Sequence, residues 1–318
     1  MAFSSITKEL NNLNSSTLIQ SLEKSVVDNI FAQNPLFMTL MKNKKTYDGG
    51  DNITIPVEYA TKDATTFGGF QTLTPADKEV FTTLQFDHAN YIIDVAISYT
   101  DQLANSSKSS IFDLLERKFN NAQLSMEKGI STDLYTARTN ANQLWGLPDC
   151  IAVDPTTNAS YENYGGVDRS TETWFRNKID IGTSTLASVT MAQVNDAYIE
   201  VTDTGIMPDL MVCDAATFSR LWSLADGRQR LGNDDMTAKI GVQSIDFNGT
   251  PIIKDSNCPV KTIYFINSKY CYFKVQIKGF EWHPFLQPHD QMAFVKYLTI
   301  QLQLIVDNPR YCSVMTMT

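Results

Sequence analysis

The residues of this 318-residue chain that could do chemistry are three histidines, five cysteines and two small charge clusters. His283 and His289 each adjoin a proline and could share a loop. A zinc site needs more ligands at tighter spacing, with a Cys or acid among them. Together with His88 they read as isolated surface or hydrogen-bonded histidines. Asp234–Asp235 could face a cation but lacks the alternating ligands of a calcium loop. Arg228 and Arg230, beside Gly227, could grip a phosphate, but the acidic pair nearby dilutes their field and a solvated loop is the better reading. The chain has no G-x-S-x-G, Walker or G-x-G-x-x-G segment. Trp174, Trp222 and Phe218 read as core positions. We expect no catalytic residue, no cofactor and no metal.

Composition narrows the class. Apolar residues make up 43%, which excludes wholesale disorder. A net charge of −9 argues against a surface that grips phosphate backbones. Cys150, Cys213, Cys258, Cys271 and Cys312 are odd in number and widely spaced, as reduced thiols are. No signal peptide or membrane span is evident, so folding in a cytoplasm is expected.

The elements follow from periodicity. Ile53, Ile55, Val57 and Tyr59 alternate with Thr54, Pro56 and Glu58, as in a half-buried strand. Val80–Tyr99 alternates too, with a phase slip near His88–Ala89–Asn90 that predicts a bulge or bend. Twenty extended residues reach roughly 65 Å, whereas a compact chain of this length is only about 50 Å across. The spacing therefore predicts a hairpin that bends or protrudes, with Thr61–Glu79 at its tip. Phe67 and Phe70 there need a partner to cover them.

Thr17–Phe31 reads as a helix striped by Leu18, Leu22, Val26 and Ile30. Leu36–Met41 reads as an arm that docks elsewhere. A long helix is predicted from a Ser110–Asp113 cap to about Tyr135, striped by Ile111, Leu115, Phe119, Ala122, Met126, Ile130 and Leu134. Residues 140 to 288 read as mixed α/β. They include a capping box at Thr190–Gln193, a strand at Leu210–Cys213 and a helix capped by Asp214. An Asn248–Gly249 hairpin and strands at Thr262–Asn267 and Tyr270–Ile277 follow. Asp226–Lys239 reads as a loop. The chain closes with a strand at Leu298–Leu304 and a return over Arg310–Met317.

In order, these elements resemble the major capsid proteins of tailed phages, the Hong-Kong-97-like family. Gly49–Gly50–Asp51–Asn52–Ile53–Thr54–Ile55–Pro56–Val57 is similar to the entry of that family's extended loop. Asn163–Tyr164–Gly165–Gly166–Val167–Asp168–Arg169–Ser170, followed by Trp174, is similar to the entry of its middle domain. The resemblance implies an α+β fold with an N-terminal arm (1–48) and an extended β-hairpin loop (49–100). A peripheral domain with a spine helix and a closing β-ribbon (101–139 and 289–318) and a mixed α/β axial domain (140–288) complete it. It further implies pentamers and hexamers that tile an icosahedral shell around double-stranded DNA, bound without sequence specificity. A portal protein at one vertex, assembly in the host cytoplasm and residence in the virion follow from the same resemblance. Two departures stand out. The arm begins within about 17 residues of Met1, so a separate scaffolding protein is expected. Some members cross-link Lys to Asn, but Lys62 and Lys78 read as solvated loop lysines.

Two other readings stay open. One is an encapsulin-like nanocompartment shell enclosing protein cargo; the other is a soluble hydrolase or transferase. The expected assembly interface comprises Ile55, Val57, Phe67, Phe70, Val95 and Ile97 of the hairpin, with Leu18 and Leu22 of the arm. Truncating the first 45 residues is expected to hurt assembly more than subunit melting.

Overall fold

The computed structural model describes residues 34–70, 72, 74, 76–104, 108–181, 185–203, 205–225, 244–287, 289 and 293–317. The predicted Thr17–Phe31 helix, with Leu18 and Leu22, lies outside them, as do Asp226–Lys239 with Arg228, Arg230 and the Asp234–Asp235 pair.

In chain order come helix α1 (Pro35–Lys42) and strands β1 (Lys45–Tyr47), β2 (Ile53–Glu58), β3 (Phe81–Phe86) and β4 (Ala89–Ser98). Helices α2 (Tyr99–Ala104) and α3 (Lys108–Leu134), then β5 (Asn163–Tyr164), β6 (Val167–Asp168) and β7 (Lys178–Ile181), follow. Next are α4 (Met191–Val201), β8 (Leu210–Cys213), α5 (Ala215–Ala225), β9 (Ser244–Phe247) and β10 (Thr250–Lys254). The last strands are β11 (Thr262–Ile266), β12 (Cys271–Gln276), β13 (Glu281–Trp282), β14 (Ala293–Val306) and β15 (Ser313–Thr316). Two compact units emerge, Ile93–Met126 with Trp282–Leu298, and Asn34–Ile92 with Glu127–Glu281 and Thr299–Thr318.

The larger unit holds a six-stranded sheet in the order β7-β15-β11-β8-β10-β9. Its core joins Val194, Ala197 and Tyr198 of α4 to Phe218 and Leu221 of α5 and to Ile252, Ile263, Phe265 and Met315 of the sheet. Thr190 and Gln193 form the predicted capping box on α4. Asp214 accepts from the amides of Ala216 and Thr217 at the start of α5. Asn248 and Gly249 take φ of 51° and 83°, the left-handed pair that a tight β9–β10 hairpin requires. Trp222 departs from the expected core role: it is 43% exposed, on the outer face of α5.

Three expectations fail, the first two on long-range pairing. Leu36–Met41 is not a docking arm. Leu36 and Leu40 of α1 are fully buried, Phe37 meets Phe273 edge-on with ring centroids 5.9 Å apart, and β1 pairs in parallel with β12. A periodic apolar stripe shows only that a helix has something to bury, and here the chain's own β12 supplies the surface. Removing residues 1–45 is therefore expected to lower subunit melting sharply, by the loss of α1 and of Lys45, the first residue of β1. Leu36→Ala or Leu40→Ala alone should cost about 2–5 kcal/mol in a urea melt. Second, the closing β-ribbon does not form. β14 pairs with β12, β13 and β4, while β15 lies between β7 and β11 in the other sheet. With β14 already flanked, the turn at Pro309–Tyr311 carries the chain across to the other sheet. Third, α3 spans Lys108–Leu134, so Ser110, expected at its start, lies within the helix. Of the α3 stripe, Ala122, Met126, Ile130 and Leu134 are buried as expected and Phe119 is half-buried, while the side chains of Ile111 and Leu115 lie outside the described residues.

In the smaller unit, Phe119 of α3 meets Trp282 and Phe285 with centroids 4.8 and 6.3 Å away, and the Lys296 ammonium lies over all three rings. Lys118 of the same helix donates to the Ala96 carbonyl on β4 at 3.0 Å.

One buried acid in the larger unit gives the fold a pH signature. Asp255 is 1% exposed and accepts from Tyr135 Oη and the Asn257 amide, each at 3.0 Å. Burial raises its pKa above the ordinary value. An unfolded Asp titrates near ~3.9. Between that value and the raised folded one, the folded chain holds the extra proton, so this group's favourable contribution is lost as pH rises through the folded pKa. Asp255→Asn keeps an acceptor for Tyr135 without the charge. It should be at least as stable as the wild type near pH 7 and show a flatter stability profile on acidification. Urea melts at several pH values would refute this by returning an unchanged slope.

Candidate assembly interface

β2 and β3 form a separate two-stranded sheet, with Ile53 opposite Phe86 and Glu58 opposite Phe81. β4 does not belong to it. The predicted phase slip falls at Asp87–His88, between β3 and β4, and the chain then enters the sheet that contains β14. The two-stranded hairpin therefore ends at Phe86, short of residue 100. Val95 and Ile97, expected on an intersubunit face, are each only 4% exposed within their own chain. They alternate as expected, but their apolar face is already covered.

The base of the hairpin is held from several sides. Gly49 and Gly50 adopt φ of 75° and 114° where the chain turns into β2. The Gly50 carbonyl can only accept, so His88 Nε2 donates to it at 2.8 Å, and Nδ1 accepts from Tyr47 Oη at 2.9 Å. Arg138 donates to Asp87 Oδ2 at 2.7 Å and lies over the Trp145 ring. Gln303 Nε2 donates to the Asp87 carbonyl at 2.8 Å, while its Oε1 accepts from the Trp145 amide at 2.8 Å.

The Asn163–Ser170 segment makes the deepest contact with β3. Gly165 and Gly166, at φ of 62° and 79°, turn β5 into β6. A side chain at Gly165 would lie 2.8 Å from Phe86 Cζ, so glycine alone lets the turn close on β3. Gln85 N then donates to Gly165 O at 2.9 Å. Tyr164 is fully buried against Phe86, Trp145 and Phe175, and its hydroxyl accepts from the Val306 amide at 2.9 Å. Arg169 is also fully buried; it lies over Tyr164 and donates to the carbonyls of Asp149 and Cys150. Burial lowers its pKa and raises that of the neighbouring Asp149. Sequence reading marked this segment as a domain entry but missed that it anchors the hairpin. The paired glycines were the available signal.

Farther out, cover disappears. Tyr59 stacks on Trp174, with centroids 5.4 Å apart, and Ile55 and Val57 are half-buried. Beyond them every described side chain from Thr61 to Glu79 is exposed. Phe67 is 72% exposed, Phe70 is fully exposed, and Phe81 at the start of β3 is 61% exposed. Lys62 pairs with Asp77 at 3.4 Å and Lys78 with Asp63 at 3.7 Å. Both lysines are solvated and meet acids. Such surface pairs contribute at most about 1 kcal/mol each. Among the described residues, no group of three or more His, Cys, Asp or Glu could hold a metal, and no helix is long and apolar enough to cross a membrane. The five cysteines are buried and free, with burial raising the pKa of Cys312 to about 12.

The family model of the SU10 major capsid protein matches residues 93–317, well over half of the chain. The chain belongs to the SU10 major capsid protein family. It is a structural subunit of a tailed-phage icosahedral shell, a virion component and not an enzyme. No curated protein matches this capsid protein. Solved structures give the fold. The Cyanophage A-1(L) capsid asymmetric unit superposes with a TM-score of 0.72 at 13% identity, covering 92% of this chain and 95% of that one. The capsid of a native GTA particle gives 0.66 at 10% identity, with 94% of each chain covered. The SrpI encapsulin complex of Synechococcus elongatus PCC 7942 gives 0.59 at 10% identity, again with 94% of each. The capsid protein thus has the mixed α+β, Hong-Kong-97-like capsid fold.

Proposed function

We propose that the subunit closes into pentamers and hexamers through its hairpin tip, and that these rings tile a shell around double-stranded DNA. The observation that carries this reading is the bare tip, where Phe67 is 72% exposed and Phe70 fully exposed with no cover from the described residues. Burying one such ring stabilises by about 1.5–3 kcal/mol. A head-to-tail contact of that size, repeated around a ring and between rings, makes assembly cooperative although each contact is modest. Ile55 and Val57 would add their remaining exposed area, and Leu18 and Leu22 a second contact through the N-terminal arm. In this arrangement the six-stranded sheet is the axial domain, and α3 with the outer part of β14 is the peripheral one. A separate scaffolding protein would guide assembly and a portal would occupy one vertex. With a net charge of −9, the chain encloses DNA without gripping it.

The encapsulin likeness keeps one second reading, a shell around protein cargo. Electron microscopy of particles made by the expressed chain tests both. Closed icosahedral particles are expected, and particles from the native source should carry DNA density. An interior filled with a single protein species would favour the nanocompartment, and a chain that stays monomeric at high concentration would end both readings.

A further inference from the structure

Among the described residues no third strand pairs with the two-stranded hairpin, and its register makes its two outer edges unequal. Tyr59 N donates to Val80 O at 3.0 Å, so the hydrogen-bonded pairs are Tyr59/Val80, Val57/Thr82, Ile55/Leu84 and Ile53/Phe86. The residues between them turn their backbone groups outward: Thr54, Pro56 and Glu58 on β2, and Phe81, Thr83 and Gln85 on β3. The bond from Gln85 N to Gly165 O is such an outward bond and fixes the parity independently. On β2 the middle outward position is Pro56, which has no N–H, so a continuous ladder cannot form there. On β3 the outward N–H groups of Phe81 and Thr83 have no partner among the described residues, and they continue the line begun by Gln85. The chain's own β5–β6 turn covers that edge at one residue and stops.

We propose that the outer edge of β3 over Phe81–Thr83 receives an extended backbone segment of a second copy of this chain, while Pro56 closes the β2 edge to the same addition. The inference rests on the shell reading above and specifies which edge of the hairpin makes the contact. A second copy is the occupant because a shell brings another subunit to the same place on every hairpin. Two chains of net charge −9 repel, and backbone hydrogen bonds join them without adding a charged contact. The 61% exposed Phe81 ring beside the edge gives the added strand an apolar surface to cover.

Amide hydrogen exchange on wild-type particles and on unassembled subunits tests this without any substitution. Exchange at Phe81 and Thr83 should slow about tenfold or more on assembly, with little change at Thr54 and Glu58. Thr83→Pro removes an outward donor and leaves the β2–β3 ladder intact, so it should fold but lose most particles in negative-stain images. Thr54→Pro, the matching change on the closed edge, should assemble normally. Particles in which Phe81 and Thr83 exchange as fast as in free subunits would overturn the proposal and leave the shell reading standing. So would protection confined to Thr54 and Glu58. A wild-type chain that forms no particles would overturn the shell reading and this proposal together.

Discussion

Replacing residues 60–79 with Asn–Gly is expected to give a chain that melts like the wild type and forms no particles. The replacement suits the backbone. Tyr59 and Val80 are a hydrogen-bonded pair, the closing pair that a two-residue hairpin turn needs, and Asn–Gly supplies the positive φ angles of that turn. Little stability is at stake. Every described side chain over Thr61–Glu79 is exposed, and the two ion pairs lost are surface pairs worth at most about 1 kcal/mol each. A shorter loop also costs less entropy to close, by about 0.6 kcal/mol for each halving of length. Assembly should respond very differently, because Phe67 and Phe70 leave with the tip. Circular dichroism melts and negative-stain microscopy on the same sample separate the two effects. Particles of normal size and yield would show that the tip is not an assembly contact.

Arg169→Ala is expected to cost the subunit about 3–5 kcal/mol, a large fraction of the stability of an ordinary domain. The guanidinium is wholly buried and is the hydrogen-bond donor to the carbonyls of Asp149 and Cys150. Truncation leaves those carbonyls without that donor, opens a cavity against Tyr164, and removes the positive charge that offsets the burial of Asp149. Arg169→Met should cost less, because it refills the volume and because Arg169 Nε has no hydrogen-bond partner even in the wild type. Urea melts of unassembled subunits give both numbers. Since Tyr164 and Gly165 hold β3 through Phe86 and Gln85, particle yield should fall in the same order. A loss under about 1 kcal/mol for Arg169→Ala would mean that the carbonyls find other donors.

Local structure was legible in the amino-acid order. Alternation placed β2 at Ile53–Glu58 and set which residues of β3 and β4 face inward, because successive side chains on a strand point to opposite faces. The capping box at Thr190, the Asp214 cap and the Asn248–Gly249 turn could be read because each satisfies a backbone requirement within four residues. Gly165 and Gly166 were visible as a motif, but their meaning lay in Phe86, some eighty positions earlier in the chain.

Partner choice belonged to the folded chain. The apolar row of β4 reads like that of β2, yet β2 pairs with β3 and β4 pairs with β14, about two hundred residues away. The stripe of α1 reads like that of a docking arm, yet the chain's own β12 meets it. β15 reads as the return of a ribbon, yet it completes the sheet of β7 and β11. One cause is common to all three. A side-chain pattern fixes which face of an element must leave water, because burial follows from area alone. It does not fix which surface provides the cover, and that depends on strands already flanked and on turns that redirect the chain.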